Sequence, residues 1–282
     1  MKKLRKAALV VCSNPQRKED IKKIEEIKKL LESLGITVLP PQYLFAGSDT
    51  VRSASARERA GYVNAAFADD AVTDIFDISG GDIANEILPF LNYEVIAHSK
   101  AVFWGFSDLT VVLNAIYNKT GKQSMLYQIK LAFQEPSGKH LREVASYLTQ
   151  EEQELVTFPY EMLQGDAMEG VVVGGNIRCF LKLAGTEYFP DLTGKILLLE
   201  AYGGGAGQMI TYLSQLKQLG AFDRINGILL GTYTKMERAG EKPDMITLVK
   251  EIAGENIALA KTGYIGHGVD SKGIVIGKKI VL

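Results

Sequence analysis

The 282-residue chain holds only two cysteines and three histidines, and that scarcity removes whole classes of chemistry. Cys12 and Cys179 form no Cys-x-x-Cys pair, so neither a disulfide framework nor a metal site is predicted. An excess of charge is missing too: 32 Lys and Arg against 33 Asp and Glu leave a net charge of -1 at pH 7. That balance offers no footprint for nucleic acid or an anionic membrane, and a small molecule is the expected partner. Long apolar runs are also absent. After the basic start at 1–6, the apolar residues stop at Val11 before Cys12-Ser13-Asn14-Pro15, too short for a signal core or a membrane span. A cytoplasmic enzyme is expected. The composition that remains is 46% hydrophobic, enough for one large core or two smaller ones, and two domains are predicted.

Apolar strand-like runs alternate with amphipathic helical patterns from the start. Strands are predicted at 7–11, 36–39 and 72–78. Helices are predicted at 18–34, where Ile21, Ile24, Ile27, Leu30, Leu31 and Leu34 share a face, and at 55–68. A further helix is read near 83–91, running on through Pro89 to Tyr93. Such alternation predicts a parallel sheet flanked by helices, with ligands at the carboxyl ends of its strands. Between 134 and 165 the pattern loosens, and this stretch is taken as a linker dividing a unit at 1–133 from one at 166–282. The second unit opens on Val171-Val172-Val173-Gly174-Gly175-Asn176 and reaches the strand 195–200, the helix 209–219 and the strand 225–230. A polar loop to Pro243 and a further short helix come next, and 273–282 reads as strand pairs around a Gly-Lys-Lys turn.

Three points stand out for chemistry. A buried strand at 101–104 runs into Gly105-Phe106-Ser107, and a helical pattern begins at once with Asp108, carrying Leu109, Val112, Leu113 and Ile116. A corner of this kind lifts a hydroxyl above the sheet edge, as a nucleophile requires. It also aims the first free N–H groups of the helix, those of Asp108 and Leu109, at a carbonyl under attack. Ser followed by Asp is equally an ordinary helix start. Gly80-Gly81, at the end of the preceding strand, can supply a further oxyanion N–H or form a plain tight turn. Glu200 closes a strand of aliphatic residues at another strand end. The glycine run 203–207 behind it lacks the Lys-Ser or Lys-Thr of a phosphate loop, so no nucleotide is placed there. His267, flanked by Gly266 and Gly268, is the histidine whose setting suits chemistry, since His98 ends a helix and His140 falls in the linker. Nucleophile, acid and base thus occur in that chain order, at separations only folding across two domains can close.

With these residues the sequence resembles the serine peptidases typified by LD-carboxypeptidase and the microcin C self-immunity protein. The resemblance runs nearly end to end. It is carried by Phe67-Ala68-Asp69, Gly80-Gly81, Asn85-Glu86 and Gly105-Phe106-Ser107-Asp108-Leu109-Thr110, then by Gly174-Gly175-Asn176, Gly194 to Glu200 and Gly266-His267-Gly268. It implies an N-terminal flavodoxin-like or class I glutamine amidotransferase-like domain, a smaller C-terminal α/β domain, no cofactor, and a homodimer. It implies Ser107 as nucleophile, His267 as base, Glu200 as acid, and backbone N–H groups of Gly81 and Asp108 as the oxyanion hole. The expected substrate is a small peptide or muropeptide such as a murein tetrapeptide. The alternatives are an immunity hydrolase that cuts a peptidyl- or aminoacyl-nucleotide amide, and a non-catalytic peptide-binding protein. Departures lie at 124–129, where the family often has His-Gly-Pro, and at 201–207, where it often carries acidic and arginine residues that grip the substrate.

Overall fold

The computed structural model describes residues 5–47, 51–150 and 152–282. The first four residues of the basic start, three in the loop after Pro41 and one in the charged stretch at 150–154 therefore lie outside the described residues. In the first half come β1 (Arg5–Val10), α1 (Ile21–Ser33), β2 (Ile36–Val38), α2 (Ala56–Ala68), β3 (Val72–Asp77), α3 (Tyr93–His98), β4 (Val102–Gly105), α4 (Thr110–Thr120), β5 (Ser124–Leu126) and α5 (Lys139–Thr149). The second half holds β6 (Glu161–Gln164), β7 (Glu169–Asn176), α6 (Ile177–Leu181), β8 (Lys195–Ala201), α7 (Ala206–Gln218), β9 (Gly227–Tyr233), α8 (Thr234–Ala239), α9 (Met245–Ala253), β10 (Ala258–Lys261), β11 (Ile274–Ile276) and β12 (Lys279–Val281).

Two six-stranded sheets result, ordered β11-β5-β4-β3-β1-β2 and β12-β7-β8-β9-β10-β6. The β1 to β5 and β7 to β10 neighbours pair in parallel, while β11, β12 and β6 run antiparallel at edges. The expected two-domain α/β fold with mostly parallel sheets is therefore present.

Four local readings are corrected. Pro89 cannot donate the hydrogen bond that a continuous helix needs, so 84–90 forms a 3-10 stretch and α3 starts afresh with Asn92 as its cap. The stretch 134–165 is not plain linker. It carries α5, whose Val144 and Leu148 enter the core under β1 and β4, and β6, which pairs with β10; His140 thus sits buried in a helix. The polar loop before Pro243 contains α8. The closing strands do not pair with each other. β11 joins β5 in the first sheet through Ile274↔Leu126, and β12 joins β7 in the second through Lys279↔Val171, so the chain end ties the two sheets together.

The helix behind Ser107 makes the main joint between the sheets. Residues 110–116 of α4 are all buried, and Val112 and Ile116 share one apolar cluster with Val172 of β7 and Leu198 of β8. An apolar stripe would suffice for a surface helix; 110–116 of α4 is buried on all sides because it is covered from both. Polar bolts fix its register. Asn114 Nδ2 donates to Gly174 O and to Thr110 O, Gly174 N donates back to Asn114 Oδ1, each at 2.8 Å, and Asn176 N donates to Thr110 Oγ1 at 3.0 Å. Asn114→Ala would leave both polar groups of Gly174 buried and unpaired. We expect a loss of about 2–4 kcal/mol, read as a lower denaturant midpoint at unchanged slope.

Candidate active site

Parallel strands of both sheets deliver their carboxyl ends to one cavity of about 600 Å³. β3 ends in Ser79-Gly80-Gly81, β4 in Phe106-Ser107, β5 leads to Gln128, β7 ends in Asn176, and β8 leads to Tyr202; all line the cavity. His267 lines it too, on the segment that follows β10.

Ser107 has φ +56°, a left-handed conformation in a non-glycine residue. The residue in the extended cap conformation is Phe106, and no side-chain cap bond is made there. The ordinary helix-start reading of Ser107 is therefore not what the backbone adopts; the strand-to-helix corner is strained, as in a nucleophile elbow. Its Oγ makes no protein hydrogen bond among the described residues, which leaves it open to the cavity.

Register places the next two groups side by side. Asn176↔Glu200 are partners across β7 and β8, and Asn176 Nδ2 donates to Glu200 Oε1 at 3.0 Å. The other carboxylate oxygen, Oε2, faces His267 Nδ1 at 2.8 Å. Glu200 is fully buried, and its ionised form accepts both bonds, so Nδ1 carries a proton and Nε2 is the free basic nitrogen. The histidine segment reaches this position by lying directly on β9: Thr232 N donates to Ile265 O at 2.8 Å. Gly231 permits that approach, since a Cβ there would overlap Ile265 O and crowd Glu200. Ser271 Oγ donates to Gly266 O at 2.6 Å and holds the turn from behind. The imidazole is not uncrowded, as flanking glycines would suggest. It sits between Phe106 and Tyr202, with ring centres 4.6 and 5.1 Å away.

Gly81 and Asp108 occupy distinct roles around Ser107. Asn14 N donates to Gly80 O at 3.2 Å, and peptide planarity turns the Gly81 N–H to the opposite side. That N–H has no acceptor among the described residues. Gly81 has φ +128°, and a Cβ would overlap the Asn14 amide. We therefore expect Gly81→Ala to cut kcat/KM by about 10–100-fold, within the range for one misplaced oxyanion donor, while Gly80→Ala, with open space around it, stays near wild type. The Asp108 side chain points away from the cavity. It is fully buried and accepts from Ser13 Oγ at 2.6 Å, Ala84 N at 2.8 Å and Lys182 Nζ at 2.5 Å. Asp108 thus ties the corner to the Gly81 loop and to the second half of the chain.

The glycine run 203–207 opens α7, and the helix N-terminus is already occupied: Ala206 N donates to Glu241 Oε2 at 2.7 Å. An intramolecular carboxylate fills the place a phosphate would take. Sequence reasoning missed Asn176 as the second partner of Glu200, the Phe106 and Tyr202 walls, and Arg178, which donates to Asp82 Oδ1 at 2.5 Å and Gly81 O at 2.9 Å. Asn176 had a signal, since it ends a parallel strand as Glu200 does; the others depend on chain crossings that spacing does not reveal.

Comparison with known proteins matches residues 7–127 to the LD-carboxypeptidase N-terminal domain and 169–282 to the LD-carboxypeptidase C-terminal domain. A provisionally named carboxypeptidase of Treponema pallidum (strain Nichols) is 31% identical over 254 residues, 80% of this chain and 74% of that protein. Among solved structures, wild-type microcin C7 self-immunity protein MccF superposes with a TM-score of 0.87 at 22% identity, covering 100% of this chain and 93% of that one. Muramoyltetrapeptide carboxypeptidase from Oxalobacter formigenes gives 0.79 at 20% identity, over 98% and 94%. At these identities the two structures speak for the fold.

Proposed function

Because the chain belongs to the LD-carboxypeptidase family, we propose that it is a serine carboxypeptidase that releases the C-terminal residue of a small peptide, such as a murein tetrapeptide, through Ser107, His267 and Glu200. The observation that carries this reading is a strained Ser107 and a Glu200-anchored His267 lining one cavity. In the reaction, His267 Nε2 takes the Ser107 proton as Oγ attacks the scissile carbonyl. The oxyanion is received by the N–H groups of Gly81 and Asp108, and His267 returns the proton to the leaving amine. Water then attacks the acyl-enzyme by the same route, with Glu200 holding the Nδ1–H tautomer and stabilising the imidazolium. Each proton transfer falls to a side chain, so the reading calls for no cofactor. It carries with it the homodimer that the resemblance implies and the cytoplasmic location expected from the short apolar start; light scattering at working concentration checks the dimer.

A second reading, cleavage of a peptidyl- or aminoacyl-nucleotide amide, is favoured by Tyr202 and Tyr212 in the cavity, which offer faces for a base. MccF has been solved with aspartyl sulfamoyl adenosine. A peptide-binding protein without turnover is the reading from another class. Labelling with a serine-directed fluorophosphonate separates it from both enzymes: covalent labelling that Ser107→Ala abolishes is expected, and labelling that persists in Ser107→Ala would reject Ser107 as the nucleophile.

A further inference from the structure

A carboxypeptidase substrate bears at least one carboxylate near the bond to be cut, and the cavity's charges show where it would go. The charged side chains lining the cavity, His267 aside, are Asp82, Arg178 and Lys130. Asp82 and Arg178 neutralise each other in a bond of 2.5 Å, and Arg178 spends its other arm on Gly81 O. Lys130 forms no ion pair among the described residues. Its Nζ donates to a neutral acceptor, Gln16 Oε1, at 3.0 Å, which leaves ammonium hydrogens for an incoming anion. Behind Glu200, Ala201 to Gly205 supply no charge at all.

Lys130 is also held still. Gln128, buried, donates Nε2 to Ser79 O at 3.1 Å and accepts from Lys130 N at 3.4 Å, so the lysine backbone is tied to the loop that carries Gly81. Ile129 and Leu131 on either side are core residues. We infer that Lys130 is the specificity-determining cation of this site, pairing with a carboxylate of the peptide substrate. The inference rests on the carboxypeptidase reading and narrows it to anionic peptides. Burial pulls the ammonium below its ordinary pKa, against the opposing pull of Asp20 and Asp77, so a bound carboxylate gains by restoring a close counter-charge. Two carboxylates qualify: the C-terminal one on the leaving residue, and one on the acyl side of the scissile bond.

The test compares wild type, Lys130→Met and Lys130→Arg on L-Ala-γ-D-Glu-L-Lys-D-Ala, on its C-terminal carboxamide, and on the peptide whose D-Glu α-carboxylate is amidated. For the free acid, Lys130→Met should raise KM about 10–100-fold with kcat changed far less, and Lys130→Arg should recover much of that loss. Amidating the carboxylate that Lys130 reads should erase the difference between wild type and Lys130→Met, and which amide does so identifies the source. A Lys130→Met effect confined to kcat, or one that survives both amidations, overturns the inference while Ser107-dependent hydrolysis leaves the carboxypeptidase reading intact. If wild type cleaves none of the peptides, that reading fails, and calorimetric titration of the free acid into Ser107→Ala, with and without Lys130→Met, decides the inference. Equal binding or none overturns it; a tenfold weakening by Lys130→Met upholds it.

Discussion

Ser107→Ala is expected to lower kcat by about 10⁴-fold or more, with the fold unchanged and peptide binding retained. The side chain makes no protein hydrogen bond among the described residues, so its loss leaves none of them buried and unpaired, and alanine inherits the same backbone strain at φ +56°. His267→Ala should fall by a similar factor. Nucleophile and base act in one step, so the double variant should be scarcely worse than either single one. Single-turnover kinetics on a cleavable peptide, beside thermal unfolding of each variant, checks this. Retention of most activity in His267→Ala would remove the histidine from its assigned role.

Glu200→Gln should cost about 10³–10⁴-fold in kcat although it is nearly isosteric, and the cause is specific to this site. Asn176 Nδ2 needs an acceptor at the position of Oε1, 3.0 Å away. A glutamine satisfies it only by turning its own oxygen toward Asn176, which places its NH2 group against His267 Nδ1. A donor there demands an unprotonated Nδ1, so the proton moves to Nε2 and the imidazole faces Ser107 in the wrong tautomer to accept its proton. In the Glu200→Gln background, Asn176→Asp gives the amide NH2 an acceptor and Asn176→Ala frees the amide to flip, so each should turn the glutamine oxygen toward His267 and recover part of the loss. Titrating kcat/KM against pH for the three proteins exposes the change in the essential base. Activity of Glu200→Gln within tenfold of wild type would show that the carboxylate does not set the tautomer.

Much of this site was legible before folding because its members end strands. Ser107, Glu200 and Gly81 each follow a strand-like run, and in parallel sheets those ends meet ligands. His267 was readable only from its glycine flanks and the resemblance, and the glycines misled as to its surroundings: the crowding comes from Phe106 and Tyr202, one on each sheet. The chain end was illegible for a related reason. β11 and β12 are three residues each, and which edge such short strands join depends on partner strands more than a hundred residues earlier. Helix α5 was hidden because its apolar positions are interrupted by His140 and Glu143, which are buried rather than exposed, Glu143 in an ion pair with Lys272. The meeting of Ser107 with the Glu200–His267 pair on one cavity could not come from spacing at all. It depends on α4 being bolted between sheets by Asn114 and Thr110, a contact sixty residues apart in the chain.

Mass-spectrometric analysis of a murein tetrapeptide ending in D-Ala, incubated with wild type and with Ser107→Ala, tests the central claim most directly. Release of the terminal D-Ala by wild type and not by Ser107→Ala is the predicted result. An intact tetrapeptide in both reactions, or equal cleavage by both, would contradict a serine carboxypeptidase built on Ser107, and cleavage confined to a peptidyl-adenylate amide would move the activity to the nucleotide-conjugate reading.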